Sequence, residues 1–413
     1  MKSSHRFLAW VLFLIIMLVS LSGCSAGVQQ EKTLKVGLLG PLTGTFAALG
    51  LDMRDGMMLY LEERGNKIGD YKVEVVVEDD TNDPATSLTK ARKLVEKDKV
   101  DLIVGPISAA CGLAVAEYCN NNKVPLLMPV TSAEDLTQRK RSEYVIRTGW
   151  TSAQPMHPFG EYAFKELGLR KITAIGHDYA FGHEVIAGFQ RTFEEAGGKI
   201  LKKIWVPSGT PDFGPYLAQV SSDSDAVVAC FSGSDAIRFV KQYKEFGLGG
   251  KVQLLGVGTL TDEHVLYSMG DEAIGIITAL HYSPTLPYPE TKKLVDGFSK
   301  KTGRIPSYYV DGSYTAMTFL EAGLKAAGSL KDVRAFSKPL QNLVVNSARG
   351  PVKLDQYNNP IQNIYIRKVE KVNGKLQNTV IKTYEGVSQF WKYNPEEFLK
   401  NPVYSRDYPP LKN

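Results

Sequence analysis

The sequence contains little cysteine and little histidine, which restricts the sites that it can build. There are 4 cysteines and 6 histidines in 413 residues. After Cys24, only Cys111, Cys119 and Cys230 remain, without a C-x-x-C pair, so neither a disulfide framework nor a zinc site is expected. Cys111 and Cys119 fall on one predicted helix, roughly 12 Å apart along its axis, which is too far for a bridge. We expect buried free thiols.

Motifs of catalysis and of nucleotide binding are also missing. The chain has no G-x-S-x-G or H-E-x-x-H motif, and its histidines lack metal-ligand spacing. The stretch GLLGPLTG follows the first predicted strand but lacks both G-x-G-x-x-G and a P-loop lysine. The net charge of +5 is spread without a basic run, which argues against nucleic acid as a partner. We expect no enzyme, no cofactor and no metal.

The first residues have the pattern of a targeting segment. Lys2 and Arg6 precede the apolar run 8–19, which is too short to span a bilayer with margin. The run ends in LSGC, which resembles the lipobox of bacterial lipoproteins. This predicts a signal peptide over residues 1–23, lipidation of Cys24, and a polar tether over 24–32. The alternative is an uncleaved N-terminal helix.

The rest of the chain alternates short β-rich runs with amphipathic helical stretches, a pattern typical of parallel sheets. About 390 residues exceed what one hydrophobic core usually holds. We therefore predict an α/β fold of two doubly wound, Rossmann-like lobes, each with a parallel central sheet, joined by three crossovers. The predicted ranges are 33–149 plus 282–353 for lobe 1, 150–281 plus 354–388 for lobe 2, and 389–413 for a non-globular tail.

Five predicted strand-to-helix turns are built from small and hydroxyl residues. They cover 40–45, 105–112, 129–132, 231–234 and 258–261. Ligands of open α/β sheets bind beyond the carboxyl ends of the strands. The turn before Cys111 opens a helix whose free backbone N–H groups and dipole favour an anion such as a carboxylate. Thr131 and Ser132 add hydroxyl donors.

At these turns the sequence resembles the type I periplasmic binding proteins of the branched-chain amino acid uptake family. The resemblance runs from KVGLLGPLTGTFAALG through DDTNDPATSLTKARKLV, VGPISAACG and VPLLMPVTSAEDLT to GPVKLD. It implies a ligand held between two lobes, hinge closure on binding, and delivery to an ABC permease. It also implies a monomer outside the cytoplasm, which the predicted lipid would anchor to the membrane.

The resemblance also implies a set of ligand-binding residues. The family's carboxylate turn falls on Ala109 and Ala110, and the acidic partner of a ligand ammonium falls on Gly258. The family's disulfide is missing, with Asn82 and Ser108 at its cysteine positions. The predicted site residues are Phe46, Leu49, Ser108, Ala109, Ala110, Cys111, Val130, Thr131, Ser132, Phe181, Ser232, Gly258, Thr259 and Tyr309.

Glycine at position 258 changes the expected ligand. An ammonium without a counter-charge is costly in a closed cleft, so we expect an apolar or aromatic carboxylate, as in the aromatic-acid-binding branch of the family. Alternatively, an aspartate replaces the missing acid and an amino acid binds; the candidates are Asp178, Asp235, Asp262 and Asp311. A ligand-sensing subunit and an enzyme on the same scaffold are the other function classes, since fold alone does not choose among them.

Overall fold

The computed structural model describes residues 32–412, which form two mixed, mainly parallel sheets surrounded by helices. The predicted signal peptide, the lipidation site Cys24 and all but the last residue of the tether lie outside the described residues. Within residues 32–412, no helix is both long enough and apolar enough to cross a membrane.

The first sheet has six strands in the order β2-β3-β1-β4-β5-β6. All neighbours are parallel except β2 and β3. The strands are β1 (Lys32–Gly40), β2 (Lys67–Ile68), β3 (Tyr71–Asp79), β4 (Leu102–Val104), β5 (Leu126–Met128) and β6 (Val145–Arg147).

The second sheet has nine strands in the order β12-β13-β14-β11-β10-β9-β7-β8, with β15 paired to β14. Strands β7 to β11 are parallel to their neighbours in this group. The strands are β7 (Lys171–His177), β8 (Lys199–Val206), β9 (Ala226–Cys230), β10 (Gln253–Val257), β11 (Ile277–Leu280), β12 (Val345–Ser347), β13 (Gly350–Leu354), β14 (Pro360–Val372) and β15 (Lys375–Val387).

Strands β12 to β15 make this side of the second sheet antiparallel, so neither sheet is purely parallel. The hairpin between β14 and β15 turns through Asn373 (φ +50°) and Gly374 (φ +78°). Two left-handed residues of this type form the tight turn that matches the twist of two antiparallel strands. Strand β12 and nearly all of β13 fall inside the predicted lobe 1 range. However, β12 pairs with β13 and β13 pairs with β14, so both strands belong to the second sheet. The division into two residue ranges therefore remains a prediction.

The helices cover both faces of the sheets. At the start of helix α2 the carboxylate of Asp83 accepts a hydrogen bond from the Thr86 N–H at 2.8 Å, and Pro84 occupies the first helical position. The helices are α1 (Ala47–Glu62), α2 (Pro84–Arg92), α3 (Ala109–Asn122), α4 (Met156–Lys165), α5 (Ala180–Glu195), α6 (Gly214–Leu217), α7 (Gly233–Glu245), α8 (Glu263–Leu266), α9 (Pro289–Thr302), α10 (Tyr308–Ala327), α11 (Val333–Leu340) and α12 (Pro395–Lys400).

Helices α9 and α10 return to the first sheet by packing on α1. The Lys301 ammonium lies 2.6 Å from the Glu62 carboxylate, and the Tyr60 hydroxyl donates to Glu321. The long gap in the β-strand pattern between 281 and 344 thus corresponds to helices that cover the first sheet, as the sequence predicts.

The C-terminal segment corrects the expectation of a non-globular tail. Its aromatic side chains Phe390, Phe398 and Tyr404 are only 2%, 3% and 6% exposed, and they pack against Ala153 and Ala187. Residues 389–412 include helix α12 and are part of the folded body. Burying three large rings supplies the hydrophobic stabilisation that a surface tail would lack.

The cysteines are as the sequence predicts. Cys111, Cys119 and Cys230 are buried free thiols. No group of three or more histidine, cysteine or acidic side chains could hold a metal ion within residues 32–412.

Candidate ligand-binding site

A small cavity of about 40 Å³ lies where the carboxyl ends of strands from both sheets meet. It is lined by Phe46, Leu49, Asn82, Ile107, Ser108, Ala109, Val130, Ser132, Trp150, Tyr179, Phe181, Ser232, Thr259, Tyr308 and Tyr309. Ten of these residues belong to the set predicted from the sequence. They lie at the turns after β1, β4, β5, β9 and β10 and at the starts of α5 and α10.

The part of the lining that the structure describes carries no carboxyl, ammonium, guanidinium or imidazole group. Among residues 32–412, no aspartate, glutamate, lysine, arginine or histidine lines the cavity. A charged ligand would therefore meet backbone dipoles and neutral side chains instead of an ion partner.

Four helices begin at the cavity wall: α3 after Ser108, α5 after Tyr179, α7 after Ser232 and α10 after Ser307. The first N–H groups of a helix have no partner inside the helix, and its N-terminus carries about half a positive charge. At α3, the Ser108 hydroxyl accepts from the Cys111 N–H at 3.3 Å, which leaves the N–H groups of the first two helical residues for a ligand. At α10 the Tyr308 N–H already donates to the Asp262 carboxylate at 3.3 Å, so the ends of α3, α5 and α7 are left to favour an anion without any basic side chain.

Aromatic rings form the remaining walls. Tyr308 and Tyr309 have ring centroids 4.0 Å apart, and Trp150 lies edge-on to Tyr308 at 5.8 Å. Tyr179 and Phe181 continue the wall at 6.2 Å from each other. Burial raises the pKa of both Tyr308 and Tyr309 well above its ordinary value, so both phenols stay neutral. The surfaces suit a flat apolar group.

Two polar atoms of the lining are left for a ligand. The indole Nε1 of Trp150 and the amide Oδ1 of Asn82 are buried and have no hydrogen-bond partner within the described part of the chain. A buried unpaired donor or acceptor costs about 1–3 kcal/mol, a cost that a ligand group can remove. Thr259 differs, because its hydroxyl donates to the Phe231 carbonyl at 2.7 Å.

Four predicted site residues do not line the cavity: Ala110, Cys111, Thr131 and Gly258. Ala110 is exposed and Cys111 is fully buried. The hydroxyl of Thr131, expected as a ligand donor, instead donates to the Pro106 carbonyl at 2.6 Å.

Gly258 lies behind the cavity wall. A Cβ at this position would lie 2.5 Å from Leu280 Cβ and 2.7 Å from an Arg367 nitrogen. The Gly258 carbonyl accepts from that arginine at 3.0 Å. A glutamate therefore has no room at this position, and the neighbouring Thr259 is the residue of this turn that reaches the cavity.

Sequence reasoning missed five lining residues: Asn82, Ile107, Trp150, Tyr179 and Tyr308. Trp150 was placed at the boundary between the two predicted lobes. Its position in a turn directly after a strand could have indicated a ligand-binding residue. Asn82 was considered only as the position of a missing cysteine. Tyr308 adjoins the predicted Tyr309 at the start of one helix, where both side chains can face the same ligand.

The four aspartates considered as substitutes for the acid missing at position 258 do not line the cavity, and each has another partner. Asp235 accepts from the Gly209 N–H at 2.7 Å and pairs with the His177 ring at 3.0 Å. Asp311 lies 2.8 Å from the Arg349 guanidinium. Asp178 and Asp262 pair with the rings of His183 and His264 at 2.9 Å and 2.7 Å.

Comparison with known proteins assigns this architecture to a family. A family model described as "Periplasmic binding protein" matches residues 33–375. The chain belongs to this family. Membership implies that this periplasmic binding protein works outside the cytoplasm. Its homologues and structural neighbours are solute-binding proteins of ABC transporters and not enzymes.

The relatives of this periplasmic binding protein fall into two groups by what their names report. The "Leu/Ile/Val-binding protein homolog 6" of Brucella melitensis is 32% identical, covering 87% of this chain and 94% of its own. A solute-binding protein from Rhodopseudomonas palustris BisB5, solved with 3,4-dihydroxybenzoic acid, is 33% identical, covers 86% of this chain and 98% of its own, and has a TM-score of 0.82. A benzoate-bound solute-binding protein from R. palustris is 30% identical, covers 86% and 97%, and has a TM-score of 0.80.

Proposed function

We propose that this binding protein captures an aromatic carboxylate without an ammonium group and delivers it to an ABC permease. The observation that carries the proposal is a cavity at whose wall helices α3, α5 and α7 begin and which no acidic side chain among residues 32–412 lines. The first feature favours a carboxylate. The second leaves an ammonium without a counter-charge.

The aromatic part of the proposal comes from the walls. The paired rings of Tyr308 and Tyr309 and the edge of Trp150 offer flat apolar surface, and the free indole N–H adds a donor. Stacked or edge-on ring pairs contribute about 0.5–1.5 kcal/mol beyond the area that they bury. The relatives solved with 3,4-dihydroxybenzoic acid and benzoate support this ligand class.

Binding of a branched-chain amino acid is the second candidate, because a relative 32% identical is named a Leu/Ile/Val-binding protein homologue. The two candidates differ in one chemical group. A ligand ammonium would need an acid that the lining of the cavity does not supply. A sensing subunit that reports to a receptor would use the same cavity and would differ only in its partner.

Matched ligand pairs test the proposal directly. Phenylalanine and 3-phenylpropanoate differ only in the ammonium, as do leucine and 4-methylpentanoate; benzoate, 4-hydroxybenzoate and 3,4-dihydroxybenzoate complete the panel. A ligand at a hundredfold excess over its Kd stabilises the fold by about 2.7 kcal/mol, a shift of a few degrees in Tm. We expect the ammonium-free partner to win in each pair and a benzoate to bind most tightly by calorimetry. Tighter binding of both amino acids would refute the proposal.

The same protein is proposed to be a membrane-anchored, monomeric lipoprotein that closes on its ligand. The lipobox at Cys24 supports the anchor. The position of the cavity between the carboxyl ends of two sheets supports hinge closure of two lobes around the ligand.

A further inference from the structure

Two buried carboxyl groups lie behind the cavity wall formed by Ser132. Glu134 is 1% exposed and follows β5, while Glu184 is 3% exposed and belongs to α5. They are adjacent, because the Glu134 N–H donates to a Glu184 carboxyl oxygen at 3.2 Å. The Glu134 carboxyl accepts from the Ala153 N–H at 2.8 Å and from the Gln138 amide at 2.6 Å.

The surrounding charge does not neutralise both carboxyl groups. Arg147 is the buried cation that faces the pair, but its guanidinium donates to the carbonyls of Thr131, Ala133 and Trp150. Asp355 faces the same guanidinium and adds a third acid. Four other titratable or charged groups lie around the pair. They are Arg139 in the loop after β5, His157 on α4, Arg191 on α5 and Tyr404 in the C-terminal segment.

Two neighbouring carboxyls in a dry site cannot both ionise at ordinary pH unless cations compensate them. Burial raises the pKa of Glu134 to about 7. Burial and the negative charge of Glu134 raise the pKa of Glu184 well above its ordinary value. Burial lowers the pKa of His157 to about 3, so that imidazole supplies no positive charge. The pair therefore retains a proton near neutral pH.

A short chain of hydroxyl groups connects this pair to the cavity. The Ser152 Oγ lies 2.8 Å from a Glu184 carboxyl oxygen and 3.0 Å from the Ser132 Oγ, and Ser132 lines the cavity. Each hydroxyl has one hydrogen to donate. If Glu184 is ionised, Ser152 donates to it, Ser132 donates to Ser152, and only lone pairs face the cavity. If Glu184 is protonated, it donates to Ser152, and the Ser152 hydrogen goes to the Ser132 Oγ or to the Ser132 carbonyl, which lies 3.1 Å away. Donation to the Oγ leaves the Ser132 hydrogen free to point into the cavity.

We propose that Glu184, in its protonated form, is a positioning residue that acts through Ser152 to turn the Ser132 hydroxyl toward the carboxylate of the ligand. Binding of the anion then takes up a proton at any pH at which the free protein has lost it. The inference rests on the proposed function, since it assumes an anionic ligand. Beyond that function, the inference states that the affinity depends on pH through Glu184, a group that does not contact the ligand.

Wild-type calorimetry with benzoate tests the linkage, because the only titratable group of benzoate stays ionised above pH 6. Titrations in two buffers with different ionisation enthalpies give the number of protons taken up. We expect proton uptake that approaches one proton per benzoate as the pH rises from 6 to 9. Above the pH at which the free protein loses the proton of the carboxyl pair, the Kd should rise by up to about tenfold per pH unit. Binding of benzoate without proton uptake and without a pH dependence would overturn the inference and leave the proposed function intact.

Variants identify the residue. Glu184→Gln carries a permanent amide donor toward Ser152, so it should bind benzoate at every pH with no proton uptake. Ser152→Ala removes the acceptor that engages the Ser132 hydrogen when Glu184 is ionised, so benzoate binding should lose both its pH dependence and its proton uptake. The matched control is Glu194→Gln, also on α5 and buried, whose carboxyl accepts from the Ile200 N–H at 3.3 Å and does not line the cavity. It should keep the wild-type pH dependence.

A proton uptake that persists in both Glu184→Gln and Ser152→Ala would assign the proton elsewhere and refute the inference. If Glu184→Gln does not fold, the wild-type proton count still decides. If neither benzoate nor any other acid of the panel binds, the proposed function fails first, and the inference falls with it.

Discussion

The indole of Trp150 stands edge-on to the ring of Phe181, with centroids 5.9 Å apart and planes at 84°. Trp150 follows the last strand of the first sheet, and Phe181 begins the helix after the first strand of the second sheet. Their contact joins the two halves of the cavity wall. It also holds the indole N–H at the cavity without a partner inside the described part of the chain.

Trp150→Phe should weaken the best acid about fivefold to tenfold, because it keeps a ring but removes one donor, worth about 1 kcal/mol or slightly more. Because the side chain is 1% exposed and the smaller ring leaves a gap, the Tm without ligand should fall by a few degrees. Calorimetry and thermal unfolding of the same preparation check both expectations. An unchanged Kd would mean that the indole N–H does not contact the ligand.

Ser232→Asp should exchange the preference between acids and amino acids. Ser232 lines the cavity at the N-cap of α7, a position where aspartate is well tolerated. A carboxylate there repels an anionic ligand and supplies the missing partner of an ammonium. We expect at least about tenfold weaker binding of 3-phenylpropanoate and measurable binding of phenylalanine. Ser232→Asn, of the same size and uncharged, is the control and should retain the wild-type order.

Closure of the two lobes should accompany binding, with rotation near residues 149–152, 281–284 and 352–355. Two residues that flank the last segment contact the first, because the Arg349 guanidinium and the Gln362 amide both donate to the Gly149 carbonyl, at 3.1 Å and 2.9 Å. Small-angle scattering should show a smaller radius of gyration with a saturating acid than without it. An unchanged profile at saturation would argue against a hinge.

Cys24→Ala should release the protein from membranes or leave its signal peptide uncleaved, because lipidation of this thiol is the attachment that the sequence predicts. Fractionation of cells that express wild type and variant, with mass determination of the processed chain, measures both outcomes. Ser25→Ala, which changes the adjacent residue, should behave as wild type. A processed Cys24→Ala chain that stays in the membrane fraction would contradict the lipoprotein prediction.

Much of the local structure follows from short-range signals. Helix α9 spans Pro289–Thr302, because proline suits the first turn and Gly303, with φ +71°, ends the helix. The C-terminal segment was mispredicted because its prolines and tyrosines have no helix or strand period. Only packing against the core reveals that Phe398 and Tyr404 are buried.

By itself, the sequence determined the alternation of strands and helices and thereby the turns at which a ligand can bind, since carboxyl ends of parallel strands meet at one edge. The tertiary structure decided which side chain of each turn reaches the cavity: Ser132 does, whereas the adjacent Thr131 bonds to Pro106. Irregular turns have no repeating side-chain direction from which this could be read. Contact between Glu134 and Glu184, 50 positions apart, likewise arises only when the two sheets pack together.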